Sequence, residues 1–284
     1  MSSTSLLKPR LTHAHAELTR QIKVVNEFGE DSQIHIPAER ALTVYLDKKE
    51  LVTLMTLGGA PEALILGYLR NQRLVPSIDY IESIQVDWDT ESAAVTTKGN
   101  TVDIEEKTSR RVVTTGCGQG TIFGGIMDDI DSIQLPIKAE ITKPAIYEII
   151  DHIRTRSSIY KQAGSVHACA VFKNNGQSVE LLHFIEDVGR HNAVDSIAGL
   201  MWLDEQSGED LIFYTTGRLT SEMVIKGAQM GIPFLLSRSG VTAMGLEMAN
   251  KVNMTLFGRC SGQHYLIYSG VNRVNTKEVN VHTA

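Results

Sequence analysis

One cysteine in this chain stands where a thiol can react. Cys117 lies in Thr114-Thr115-Gly116-Cys117-Gly118-Gln119-Gly120-Thr121-Ile122-Phe123-Gly124-Gly125, a twelve-residue stretch with five glycines. Glycine neighbours deny it a packed environment and leave backbone N–H groups free to stabilise a thiolate, the species that attacks sulfur or carbon. A thiol on a flexible arm suits sulfur transfer, which requires visits first to a donor and then to an acceptor. The plainer reading is a glycine-rich turn that happens to contain a cysteine. No Gly-Lys-Ser/Thr follows, so the stretch is not a P-loop. Cys169, inside the apolar run Val166-His167-Ala168-Cys169-Ala170-Val171, reads as a core cysteine. Three widely spaced cysteines form neither a disulfide framework nor a Cys-x-x-Cys zinc pattern, and point to a reducing compartment.

Four arginines form the second constellation. Each follows a β-type run: Arg190 in Glu186-Asp187-Val188-Gly189-Arg190-His191-Asn192, Arg218 in Thr216-Gly217-Arg218, Arg238 in Ser237-Arg238-Ser239-Gly240, and Arg259 in Phe257-Gly258-Arg259-Cys260-Ser261-Gly262. In an open α/β sheet, ligands sit outside the carboxyl ends of the strands. Arginine offers a planar fork of donors to phosphate oxygens, glycine lets backbone amides come close, and a following helix adds the positive end of its dipole. A phosphorylated or otherwise anionic ligand is the reading these positions support. Against it stands a structural role, in which the arginines pair with Glu186, Asp187 and Glu222 and brace the loops. His191 either donates to a phosphate or caps its helix. Cys260 either faces the ligand or packs beneath it.

The elements that would position these residues fall into two textures. Short β-type runs with polar turns fill residues 20–113: 22–25 with 33–36, 43–46 with 51–54, and 84–88 with 94–97 read as hairpins. One helix begins at Pro61, whose fixed φ suits a first helical turn. The glycine-rich segment 114–140 is expected to be mobile and to separate two domains. From Thr142 the period changes, with Ile146, Ile149, Ile150 and Ile153 on one helical face. Strands at 166–172, 179–185, 211–215, 234–237, 255–258 and 265–268 then alternate with helices at 191–202, 221–230 and 243–250. Such alternation implies a mixed, largely parallel sheet covered by helices over 141–272. The expected fold is a β-rich α+β domain followed by an α/β domain.

Composition narrows the function classes. The 284 residues are 42% apolar and 21% charged, a globular balance. Lys plus Arg number 27 against 33 Asp plus Glu, a net charge of −6, so nucleic acid is not the expected partner. No apolar run is long enough to span a membrane, and residues 1–20 do not read as an export signal, so a cytoplasmic location is expected.

The chain resembles the FdhD family of formate dehydrogenase accessory sulfurtransferases. The resemblance rests on Thr115-Gly116-Cys117-Gly118, on Glu186-Asp187-Val188-Gly189-Arg190-His191-Asn192-Ala193-Val194-Asp195, and on Gly217-Arg218-Leu219-Thr220-Ser221-Glu222-Met223. Gln229-Met230-Gly231-Ile232-Pro233, Ser237-Arg238-Ser239 and Phe257-Gly258-Arg259 extend it. It implies a C-terminal domain with the cytidine deaminase-like three-layer fold and assembly as a homodimer. It also implies a sulfur carrier that accepts persulfide sulfur from a cysteine desulfurase on Cys117. The cargo would be the molybdenum bis-guanine-dinucleotide cofactor destined for formate dehydrogenase. The family's cofactor-contacting segment falls on Phe257, Gly258, Arg259, Cys260, Ser261 and Gly262. Arg190, His191, Arg218, Ser237 and Arg238 are the further expected contacts to its guanine nucleotide portion. One departure matters: family members commonly carry Cys-Gly-x-Cys-Gly, whereas this chain has Cys117-Gly118-Gln119-Gly120-Thr121. The loop therefore lacks the neighbouring thiol that would resolve the persulfide as an internal disulfide. Zinc-dependent deamination, the other chemistry of a deaminase-like fold, needs His-x-Glu and Pro-Cys-x-x-Cys, and neither is present. A cofactor-binding chaperone without sulfur chemistry is the alternative function.

Overall fold

The computed structural model describes residues 8–99, 130 and 132–275. Cys117 and most of the expected segment 114–140 lie outside the described residues. Packing divides the chain into two units. Among the described residues the first comprises 8–99, 157–168 and 185–206, and the second 130, 132–156, 169–184 and 207–275. The units are therefore not the two contiguous domains expected from the sequence, because 157–168 and 185–206 pack with the N-terminal unit.

The first unit is built on a five-stranded sheet of order β1-β6-β7-β4-β5. Its strands are β1 (Arg10–Leu11), β4 (Arg40–Leu46), β5 (Lys49–Thr56), β6 (Ile81–Asp87) and β7 (Ser92–Thr97). Burial alternates along β7, as expected for a sheet with one covered face. Leu42, Val44, Leu46, Leu54, Ile84 and Val95 from the strands meet Leu64, Ile65 and Leu69 of α1 (Pro61–Asn71) in one core. Helix α1 starts on Pro61, and Glu62 in its first turn accepts the Ala14 N–H at 2.8 Å. Strands β2 (Thr19–Val25) and β3 (Asp31–Pro37) form a separate antiparallel hairpin.

The helix that draws 185–206 into this unit is α4 (Arg190–Leu203), following the short helix α3 (Ile159–Ala163). Its apolar residues run round the whole helix, which marks a helix with little solvent face. The α1–α4 crossing is close enough that a Cβ on Gly67 would lie 1.6 Å from the Asp195 carbonyl oxygen, and one on Gly199 1.9 Å from that of Ala63. Only glycine fits at these two points. Arg70 lies along the same contact, donating to the Ala198 carbonyl at 2.9 Å and resting 5.4 Å from the Trp202 ring; burial lowers its pKa to about 10.

The second unit is a mixed α/β structure centred on a six-stranded sheet of order β10-β9-β11-β12-β13-β14. These strands are β9 (His167–Asn174), β10 (Val179–Asp187), β11 (Leu211–Thr215), β12 (Phe234–Ser237), β13 (Thr255–Ser261) and β14 (His264–Ile267). Strands β11, β12 and β13 run parallel, β9 runs antiparallel to β11, and β14 antiparallel to β13. A two-stranded ladder joins β8 (Ile141–Thr142) to β15 (Val274–Asn275). Helix α2 (Lys143–Thr155) is capped by the Thr142 hydroxyl and buries Ala145, Ile146, Ile149 and Ile150 at helical spacing. They meet Phe172, Ile212, Tyr214, Phe234, Leu236 and Phe257 on one face of the sheet. Helix α5 (Ser221–Gln229) packs on the other face, where a Cβ on Gly227 would touch Leu235, and α6 (Ala243–Lys251) lies beside it. The sheet thus has helices on both faces.

Candidate functional site: the strand ends of the second unit

Because β11, β12 and β13 are parallel neighbours, their carboxyl ends lie side by side. Thr215 is in register with Ser237, and Leu236 with Phe257. The loops that leave them carry Arg218, Arg238 and Arg259, all exposed. Among the described residues neither Arg218 nor Arg259 is held by an ion pair, and Glu222, the nearby carboxylate in the first turn of α5, lies 3.6 Å from the buried Lys226 ammonium. Glu222 thus engages its own helix through Lys226. What remains is a row of guanidinium groups at adjacent strand ends, suited to bind an anion.

Backbone links hold the row together. The Arg238 N–H donates to the Thr215 carbonyl at 3.1 Å, and the Arg259 N–H to the Ser239 carbonyl at 2.7 Å. The Leu219 N–H reaches the Gly240 carbonyl at 2.9 Å, and Leu219 bridges Val241. Strand β13 shifts register between Gly258 and Ser261, and Arg259 within that irregularity has φ 55. Gly258 is required by close approach, since a Cβ there would lie 2.7 Å from the Tyr268 ring and 3.2 Å from the Ser239 carbonyl oxygen.

The expected contact residues separate by exposure. Ser261 and Gly262 are open to solvent beside Arg259. Phe257 is 0% and Cys260 1% exposed, both in the core beneath the loop, so at these two positions the side chains face away from a ligand at the surface. Burial pushes the Cys260 thiol up to about 12, the Ser237 N–H opposing that shift, so the group is a neutral thiol. Ser237 is likewise 0% exposed, and its hydroxyl serves the protein's own loops. Cys169 is a core cysteine whose thiol lies 3.4 Å from the Thr215 hydroxyl. Sequence reasoning passed over Ser239 and Thr215, whose backbone and hydroxyl groups tie the loops. The alternation of hydroxyl residues with arginine after each strand was the available signal.

Arg190 and His191 belong to the first unit, at the start of α4. His191 is 2% exposed, and the Nε of the half-buried Arg190 is shielded from solvent without a hydrogen-bond partner. Their placement is fixed by Asp187, which accepts from the Thr56 hydroxyl (2.5 Å), the Leu57 N–H (3.0 Å), the Gly189 N–H (3.0 Å) and the Asn192 amide (2.8 Å). Burial raises the Asp187 pKa, and these four donors oppose the rise. Asp187 therefore ties the end of β5 to the start of α4. Glu186, the neighbouring acid, accepts from the Ile159 and Tyr160 N–H groups at 2.6 and 3.1 Å. Asp195 accepts from the Asn71 amide at 2.6 Å.

A mixed α/β sheet with exposed guanidinium groups at its parallel strand ends defines an α/β protein. No described helix is long and apolar enough to cross a membrane. Comparison with known proteins gives the lineage: the chain belongs to the FdhD/NarQ family, whose model matches residues 37–275. It is 27% identical over 249 residues to the sulfur carrier protein FdhD of Wolinella succinogenes, covering 88% of this chain and 85% of that one. It is 30% identical over 228 residues to the protein of the same name from Saccharolobus solfataricus, covering 80% and 84%. A crystal structure from Desulfotalea psychrophila, provisionally assigned as a formate dehydrogenase accessory protein, superposes with a TM-score of 0.74 at 25% identity, covering 91% of this chain and all of that one. Membership in a sulfur carrier family with a formate dehydrogenase accessory role follows.

Proposed function

We propose that this chain is a persulfide carrier that takes sulfur from a cysteine desulfurase on Cys117 and passes it to a molybdenum bis-guanine-dinucleotide cofactor, its cargo, for use by formate dehydrogenase. The Cys117 thiolate attacks the outer sulfur of the donor's persulfide, the donor cysteine leaves as a thiolate, and Cys117 then carries the sulfane sulfur. The observation that carries the cargo reading is the row of Arg218, Arg238 and Arg259 exposed at three adjacent strand ends, whose charge and planar donor forks suit the diphosphate of a guanine dinucleotide. Membership in a family of sulfur carriers supports the sulfur reading. Arg190 and His191 are proposed as a further anion contact at the start of α4. With Gly120 in place of a second loop cysteine, the sulfane sulfur leaves the Cys117 thiolate as sulfide on the acceptor, the two electrons coming from the acceptor metal centre or from an external reductant. The working assembly is a homodimer in the cytoplasm, where thiols stay reduced.

The test is intact-protein mass after incubation with a cysteine desulfurase and cysteine. One added sulfur is expected on the wild type and none on Cys117→Ala. Wild type that gains no sulfur yet binds guanosine diphosphate would replace the carrier with a cofactor chaperone.

A further inference from the structure

Two of the three arginine-bearing loops of the second unit meet at one buried hydroxyl, and the third joins them through Ser239. Ser237 Oγ, in a residue 0% exposed, donates to the Gly217 carbonyl at 2.6 Å, in the loop that carries Arg218. It also accepts the Ser239 N–H at 2.9 Å, in the loop that carries Arg238. The Ser239 carbonyl in turn receives the Arg259 N–H at 2.7 Å. A continuous chain of hydrogen bonds therefore runs across all three strand ends. At its far end Arg259 is held at φ 55, a conformation that a side chain of its size adopts only when its surroundings impose it.

We propose that Ser237 is the positioning residue of the anion site, acting through Arg218, Arg238 and Arg259 without touching the ligand itself. The proposal rests on the guanine-nucleotide reading above and goes beyond it by naming what makes the three loops act as one. Only a group that donates and accepts at once can satisfy the Gly217 carbonyl and the Ser239 N–H together. Alanine removes the partner of both groups, so the loops keep only their backbone links and the side-chain bond between the first two is lost. Threonine keeps both roles.

Guanosine diphosphate, titrated into the full-length wild type, Ser237→Ala and Ser237→Thr over a series of salt concentrations, tests this. Attraction between three guanidinium groups at adjacent strand ends and a diphosphate is screened by salt, so wild-type affinity should fall steeply as salt rises. Ser237→Ala should bind at least tenfold more weakly and with a shallower salt dependence, and Ser237→Thr should recover both. A residue that only stabilised the fold would lower Tm and leave the salt dependence of the folded protein unchanged; that result overturns the proposal while leaving the nucleotide reading intact. Hydrogen exchange on the wild type alone gives a second reading if the alanine variant does not fold. Bound nucleotide should slow exchange in 216–219, 238–240 and 258–262 together, and protection confined to one of these segments overturns the shared staple. Wild type that ignores the nucleotide overturns the site reading first, and the role of Ser237 falls with it.

Discussion

Two cysteines and three arginines make opposite demands on their surroundings. Cys169 and Cys260 are sealed in the second unit, and a thiol raised to about 12 stays protonated through neutral and mildly alkaline pH. The sign is that of a group whose neutral form the fold prefers: any stability tied to the neutral thiol is complete below the ordinary value of 9.0 and is lost as pH climbs toward 12. Iodoacetamide at pH 8 to 9 should accordingly label Cys117 in the native protein and spare the other two until denaturant is added; equal labelling of all three would contradict the burial argument. The arginines Arg218, Arg238 and Arg259 are exposed. Replacing Arg218 or Arg259 with Ala should weaken guanosine diphosphate binding by roughly ten- to a hundredfold each, the value of about 1.5–3 kcal/mol for a hydrogen bond to a charged group. Lysine should restore only part of that, because a point charge lacks the planar fork. Calorimetric titration of the four variants checks both statements, and unchanged affinity in either alanine variant would remove that arginine from the site.

At the scale of elements, the α1–α4 crossing is the contact with least tolerance. Gly199→Ala places a methyl group against the Ala63 carbonyl, which no rotamer can avoid, so a loss of at least about 2 kcal/mol is expected. Thermal unfolding should show it as a fall in Tm of roughly 5 °C or more, and a shift under 1 °C would mean that the crossing is looser than described. The separate helices at 61–71 and 190–203 were legible in the sequence from Pro61 and from the long apolar run after His191. Their pairing was not, because Gly67 and Gly199 lie more than a hundred residues apart and nothing local marks them as facing one another. That missed pairing is why 185–206 was expected within the second domain. Strands were legible wherever alternation or an apolar run met a turn signal, as in β4 with β5 and in β11. The two-residue β1 gave no such signal, and its parallel pairing with β6 is a tertiary outcome. At the site, the arginines after β11, β12 and β13 could be read from their positions. The inward turn of Ser237 and Cys260 could not, since it depends on the register shift in β13 and on a serine satisfying backbone groups of two loops.

For the whole molecule, a protein of the FdhD/NarQ family, the proposed function has two halves, sulfur carriage by Cys117 and anion binding at the strand ends. Each half can fail alone: Arg218→Ala should leave persulfide loading of Cys117 intact while weakening nucleotide binding, and Cys117→Ala should do the reverse. Mass spectrometry and calorimetry on the same two variants would show whether the functions separate in this way. The most direct test follows the sulfur itself. The protein is loaded with radiolabelled sulfur from a desulfurase, separated from the donor, and mixed with formate dehydrogenase lacking active cofactor and with the molybdenum cofactor. Label should leave Cys117 and appear on the cofactor as formate oxidation rises, and Cys117→Ala should support neither. Formate dehydrogenase that gains full activity while the cofactor stays unlabelled would contradict sulfur carriage.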